Sequence, residues 1–182
     1  MLANPRSTMR SNSEADTRGT GLQYNHHAMS TKTIHGLEEL KAAVGMEAAV
    51  TDWYEITQEM IYRFADATGD HQWIHIDPER ARRESPFKTT VAHGFFTLSL
   101  LPMLIKQAIV VDVDAKLGVN YGFNKLRFVS PVPSGSRIRV RVTPNAVKDV
   151  EGGVEIVWGI VVEVEHGTKP AVVAEWLGRL YF

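Results

Sequence analysis

The chain contains no cysteine. Disulfides, thiol nucleophiles and cysteine-ligated zinc or iron–sulfur centres are therefore excluded, and a reducing, cytoplasmic setting is expected. A basic surplus is also missing. Twenty Lys and Arg stand against 21 Asp and Glu, for a net charge of −1, so no nucleic-acid partner is expected, although a few local cations suffice for a phosphate-bearing substrate. No uncharged apolar run reaches the ~20 residues that span a bilayer. The longest, Gly94 to Val111, is interrupted by Pro102 and Lys106, so a core helix is expected there and no membrane partner. Finally, residues 1–29 lack apolar periodicity and are rich in Ser, Asn, Arg and Gly. They cannot bury enough surface to offset their ordering entropy. With no apolar core of 7–15 residues they do not form a secretory signal, and Glu14 and Asp16 count against organelle targeting. A disordered tail over 1–29 and a single domain over 30–182 are expected, since 182 residues suit one domain of ~100–200.

What is present begins with a helical stripe of Ile34, Leu37, Leu40 and Val44, closed by Gly45. Val50 to Ile56 reads as a strand. Thr57 is a good N-cap for a helix whose apolar face is Met60, Ile61, Phe64, Ala65 and Ala67. Gly69 suits the left-handed position that ends it. Asp70 to Ile76 then reads as a loop, and Asp77-Pro78-Glu79 as the start of a short helix: an N-cap, a proline at the first position and an acid in the first turn. Thr89 to Val91 reads as extended. Gly94 to Ile105 is apolar on nearly every side, which predicts a buried helix, kinked by Pro102.

The second half alternates. Strands are expected at Asn120–Phe123, Lys125–Val129 and Arg137–Val147, then from Val154 to Val164, where every even position is apolar, and from Val172 to Phe182. Period-2 patterning with one wet face means an antiparallel sheet. With no βαβ rhythm, the class is α+β, a curved sheet packed on one buried helix. Arg137, Arg139 and Arg141 read as a solvated strand face.

Asp70 and His75 are the candidate chemistry. On a helix their spacing would set them ~140° apart, whereas on a loop both side chains can converge on one pocket. A carboxylate and an imidazole sharing a water can take its proton and return one elsewhere. Loop Asp and His residues are commonly caps or solvated groups. What singles these out is Ala92-His93-Gly94 opening the buried helix, where unpaired N–H groups and a positive partial charge suit an oxyanion. His71, His75 and His93 prompt a metal reading, since a four-residue histidine spacing on a helix is a zinc pattern. Gly69 and Pro78 bracket a non-helical loop, however, and no Cys or nearby Glu completes a set, so no metal is expected. His93 reads as a buried histidine with its hydrogen bonds satisfied, shaping the start of the helix, rather than as a ligand or base. Trp73, Phe95 and Phe96 could line an acyl pocket or simply fill the core.

Asp70 through Pro78, together with Ala92-His93-Gly94-Phe95-Phe96-Thr97-Leu98-Ser99-Leu100-Leu101-Pro102, resembles the MaoC-like dehydratases, or (R)-specific enoyl-CoA hydratases. Tyr121 to Phe128 and Pro131-Val132-Pro133-Ser134-Gly135 are similar to the strand and turn that follow in that family. The resemblance spans roughly residues 45 to 182. It implies a hot-dog fold, a curved antiparallel sheet wrapped around a long central helix, normally paired into a homodimer. It implies reversible hydration of trans-2-enoyl-CoA to (R)-3-hydroxyacyl-CoA, with catalytic Asp70 and His75 and the Gly94 backbone as oxyanion donor. It further implies substrate contacts at Gln72, Trp73, His93, Phe95 and Ser99, and a CoA or acyl-carrier-protein thioester as substrate with no cofactor. Many members have Asn-Pro where this chain has Gln72-Trp73, a form that resembles a nodulation protein N-like subgroup. The alternatives are a hot-dog acyl-CoA thioesterase and a non-catalytic acyl-thioester binding module.

Overall fold

A computed structural model describes residues 31–182; the expected tail at 1–29 lies outside the described residues. The chain opens with a strand, β1 (Lys32–His35), and a short helix, α1 (Gly36–Ala42). Ile34, expected on the helical stripe, is thus in the strand, and the fully buried Leu40 carries the helix's contact with the core. The strand expected over Val50–Ile56 is two short pieces, β2 (Ala49–Val50) and β3 (Tyr54–Glu55). They are parted where the Thr51 hydroxyl takes over as acceptor for the Val140 N–H.

Helix α2 (Gln58–Thr68) runs between its expected ends: Thr57 Oγ1 accepts from Met60 N at 3.3 Å, and Gly69 closes it at φ 75°. The stretch expected to be all loop contains one helical turn, α3 (Trp73–Ile76). Asp77 Oδ1 then caps α4 (Pro78–Glu84) through Arg80 N at 2.9 Å.

The apolar segment forms two helices, α5 (Gly94–Ser99) and α6 (Leu101–Ala108), separated at Leu100 just before Pro102. Its last residues, expected as helix, extend into β4 (Ile109–Asp112), which pairs in parallel with β1. This central rod is not enclosed on all sides as expected. Phe96, Leu101, Leu104 and Ile105 face the core, while Phe95 is 67% exposed. Continuous apolar composition here reflects one face against the sheet and a second face against open space.

The remainder is β5 (Leu117–Phe128), β6 (Arg137–Val150), β7 (Gly153–Val164) and β8 (Val172–Tyr181). The two strands expected at Asn120 and Lys125 are one strand, β5, with register shifts between Asn120 and Gly122 and between Phe123 and Lys125. Among the described residues the main sheet runs β2–β6–β7–β8–β5, with β3 also on β6, and every pair is antiparallel. Alternation places Ile138, Val140 and Val142 of β6 beside Ile156, Ile160 and Val162 of β7 on the inner face, against the rod. The outer arginines are not merely solvated. Arg137 pairs with Glu165, Arg139 with Glu163, and Arg141 with Glu47 and Glu163. Helix wrapped by curved antiparallel sheet is the hot-dog arrangement.

Leu104 sits at the centre of that contact, 1% exposed. Leu104→Ala is expected to cost ~2–5 kcal/mol, lost transfer energy plus a cavity. Urea unfolding would read this as a lower midpoint at unchanged slope; a loss under 1 kcal/mol would show that the rod is not the keystone of the core.

Candidate active site

Gly69 turns the chain out of α2 and delivers Asp70 at the protein surface, its carboxylate side chain 56% exposed. Among the described residues the carboxylate accepts one long hydrogen bond, from Gln72 N to Oδ1 at 3.4 Å. His75 follows in α3, whose single turn is closed by the Asp77 N–H to Trp73 O bond at 3.0 Å. The imidazole is 7% exposed. Its Nδ1 lies 2.6 Å from the Val91 carbonyl oxygen, and since a carbonyl only accepts, the proton is on Nδ1 and Nε2 carries a lone pair. Burial pushes the His75 pKa below 6.5, helped by the neighbouring His93 imidazole and opposed by the Val91 carbonyl and Asp70. His75 therefore favours its neutral form at neutral pH.

A second ring of bonds holds this histidine. Gln58, in the first turn of α2, donates its Nε2–H to the His75 carbonyl at 2.7 Å. The Thr90 hydroxyl donates to Gln58 Oε1 and so fixes which way that amide points. Val91 N–H donates to Ile74 O at 3.0 Å. Gln58, Thr90 and Val91 were not foreseen. A Gln in the first turn of an amphipathic helix reads as solvated, and its partners lie 17 and 32 residues away.

His93 is 3% exposed. Its ring stacks on His75, centroids 3.7 Å apart and planes 26° from parallel, with Phe64 at 5.0 Å. Its Nε2 lies 2.9 Å from the Asp70 backbone oxygen and 4.0 Å from Oδ2. One ligand atom from each of Asp70, His75 and His93 lies within 4.8 Å of the other two. The acid and the imidazole thus meet across a shared space. His71 does not join them; its Nε2 pairs with Asp66 at 2.9 Å.

That cluster has the residue types of a metal site, but its rings do not suit one. Stacked imidazoles project their lone pairs into near-parallel planes, whereas two ligands of one zinc must aim at a common point ~2 Å from each nitrogen. His75 Nδ1 and His93 Nε2 are moreover occupied by carbonyls.

Gly94 begins α5, and no side chain caps that end. The first N–H groups of a helix have no carbonyl four residues back to bond, so they face outward beside His93. Glycine is required there by a close approach: a Cβ would stand 2.9 Å from the Phe128 ring. Beyond it, Phe95, Leu98, Ser99 and Pro102 form one wall of a cavity of about 310 Å³, with Asn120, Phe123 and Trp176 opposite. Phe95 and Ser99 therefore line open space. Gln72 is exposed on the loop, and Trp73 is half-buried with the Arg80 guanidinium 4.4 Å over its ring; neither lines that cavity. His93 offers substrate almost no surface. A second cavity of about 320 Å³ lies on the sheet's outer face near Trp53 and Lys169 and includes none of these residues.

The model of the MaoC like domain matches residues 39–165. The chain belongs to the MaoC-like family. It is 50% identical over 149 residues to 3-hydroxyacyl-thioester dehydratase Z of Mycobacterium tuberculosis, covering 81% of this chain and 97% of that protein. It is 40% identical over 147 residues to nodulation protein N of Rhizobium meliloti, covering 80% and 91%. Among solved structures it is similar to the unliganded R-hydratase PhaJ1 of Pseudomonas aeruginosa, with a TM-score of 0.56 and 25% identity over 74% of this chain and 79% of that one. This MaoC-like chain is an enzyme of the hydratase/dehydratase class.

Burial of a neutral His75 links stability to pH. The folded state releases the His75 proton below 6.5 while the unfolded chain holds it up to 6.5. The unfolded state thus binds more protons as pH falls through 6.5, and stability is lost in that direction. Urea midpoints of the wild type and His75→Gln, measured from pH 8 to pH 5, should diverge below pH 6.5, with the wild type losing more. Parallel curves would show that His75 is not buried neutral.

Proposed function

We propose that the chain catalyses reversible hydration of a trans-2-enoyl thioester to the (R)-3-hydroxyacyl thioester, with Asp70 and His75 as the acid/base pair. The observation that carries this reading is a buried His75 whose Nδ1 is taken by the Val91 carbonyl, clustered with Asp70 and His93 so that one ligand atom of each lies within 4.8 Å of the others, next to the uncapped start of α5. A water between them gives one proton to His75 Nε2 while Asp70 accepts its other hydrogen, and the oxygen bonds to C3. The C2=C3 electron pair moves toward the thioester oxygen, where the Gly94 N–H stabilises the developing charge. His75 Nε2–H then returns its proton to C2, so one water's atoms are added to the double bond. The tautomer set by Val91 favours His75 as the shuttle, because Nε2 is the nitrogen left free to accept and return. The addition consumes no electrons overall, and the reading names no cofactor.

Phe95, Ser99 and the opposite wall at Trp176 are read as the acyl-tail pocket. Gln72 and Trp73, on the loop between the acid and the base, are read as contacts nearer the thioester. The relative named as acting on 3-hydroxyacyl thioesters supports the substrate class, with the carrier being CoA or an acyl-carrier protein. A domain over 30–182 acting as a cytoplasmic homodimer completes the proposal. β5 is an edge strand on which Leu117, Tyr121, Phe123 and Phe128 are exposed, a long apolar edge of the kind that invites a second strand.

Asp70→Asn and His75→Ala are each expected to lower hydration of a short-chain enoyl-CoA by at least ~10²-fold with cooperative unfolding retained; near-normal turnover in either variant refutes the assignment. The same assay separates the alternatives. A thioesterase releases thiol, and a binding module leaves the enoyl absorbance unchanged. Light scattering after size-exclusion chromatography should give twice the chain mass, falling to one on Tyr121→Lys with Leu117→Lys; a monomeric wild type would remove the dimer from the proposal.

A further inference from the structure

Resting on the hydratase reading above, we propose that His93 is a positioning residue that holds Asp70 and His75 in their mutual geometry without touching substrate. It touches both members of the pair. By its place in the chain it is the N-cap of α5 and delivers Gly94. Its Nε2–H holds the Asp70 backbone oxygen at 2.9 Å. That bond anchors a residue whose own carboxylate accepts one long hydrogen bond among the described residues, from Gln72 N. Its ring is the floor on which His75 lies, centroids 3.7 Å apart.

The remaining nitrogen separates this role from packing alone. His93 Nδ1 is buried with no hydrogen-bond partner among the described residues. A leucine or phenylalanine would fill the same slot beside Phe64 and Phe96 without leaving a buried polar atom unsatisfied, which is costly. The imidazole is therefore accounted for by what its other nitrogen does, which is to tie the Asp70 backbone to the start of α5. Because a carbonyl only accepts, His93 Nε2 carries a proton that is spent on the Asp70 backbone, and Nδ1 makes no bond into the site. Stacked face to face, His93 aims neither an N–H nor a lone pair at His75, so the Val91 carbonyl keeps the Nδ1 proton and the other nitrogen of His75 stays an acceptor. Around His75 the facing groups are Asp70, His93 and the Val91 carbonyl, so His93 is the neighbour through which the position of the acid reaches that of the base.

The test is made on the full chain. Nitrogen-15 NMR of labelled histidines in the wild type should place the His93 proton on Nε2 and the His75 proton on Nδ1; a His93 proton on Nδ1 overturns the proposal. For His93→Leu, kcat on a short enoyl-CoA should fall ~10²-fold, as expected of small misplacements of reacting groups. KM should stay within about twofold, and the His75 nitrogens should shift toward a mixture of tautomers. His93→Gln, whose amide can reach the Asp70 carbonyl, should recover about tenfold of that loss. Loss carried by KM, or a leucine variant within about threefold of wild-type kcat, assigns His93 to substrate contact or packing and defeats the proposal. Should the leucine variant not fold, the glutamine variant decides: a wild-type His75 spectrum with kcat within about tenfold of wild type supports positioning, and a disordered His75 with full activity overturns it. A wild type that hydrates no enoyl thioester refutes the function instead. The tautomers and their response to His93→Gln still decide whether His93 positions its neighbours.

Discussion

The bond from His75 Nδ1–H to the Val91 carbonyl, 2.6 Å long and buried, is the constraint on which the site depends. It chooses the tautomer, and the tautomer decides which nitrogen is available for chemistry. The bond is possible only because α3 and the extended segment before α5 lie side by side, joined by the Val91 N–H to Ile74 O bond and braced by Gln58 and Thr90. The order of these contacts explains how a single helical turn, too short to be stable alone, holds His75 in place.

Burial does two opposing things at this site. It lowers the affinity of His75 for a proton, so the ring is a neutral acceptor, and it requires that every polar atom nearby find a partner. Asp70, at the surface, escapes the second demand; His93 Nδ1 does not meet it. An exposed carboxylate beside an enclosed imidazole gives the two groups unequal environments, the condition under which titratable neighbours can take different parts.

Much of this was legible in the amino acids. Thr57, Gly69 and Asp77 act locally, through a hydroxyl, a left-handed turn and a carboxylate cap, and local chemistry is what a sequence displays. The even-numbered apolar run of β7 gave its buried face directly. Asp70, His75 and Gly94 stood out as chemistry-bearing residues flanking a helix start, and the structure brings the first two together. The rest depended on distance. Nothing near Gln58 announces a partner 32 residues on, and nothing in the run from Gly94 tells a wholly enclosed rod from one with an open side along Phe95 and Pro102. Ile34 fell on a helical stripe by spacing, yet the parallel pairing with Val111 placed it in a strand. Gln72 and Trp73 share the acid's loop, but adjacency in the chain did not bring them to the cavity.

The residues proposed to handle protons, and those that hold them, come from one continuous piece of chain, Gln58 to Gly94, whereas the cavity past Phe95 borrows its far wall from β5 and β8 at Asn120, Phe123 and Trp176. Reactivity and fit are thereby inherited on separate segments. On the proposed reading, substitutions along those two strands reshape what is accepted while the reacting centre stands as it is.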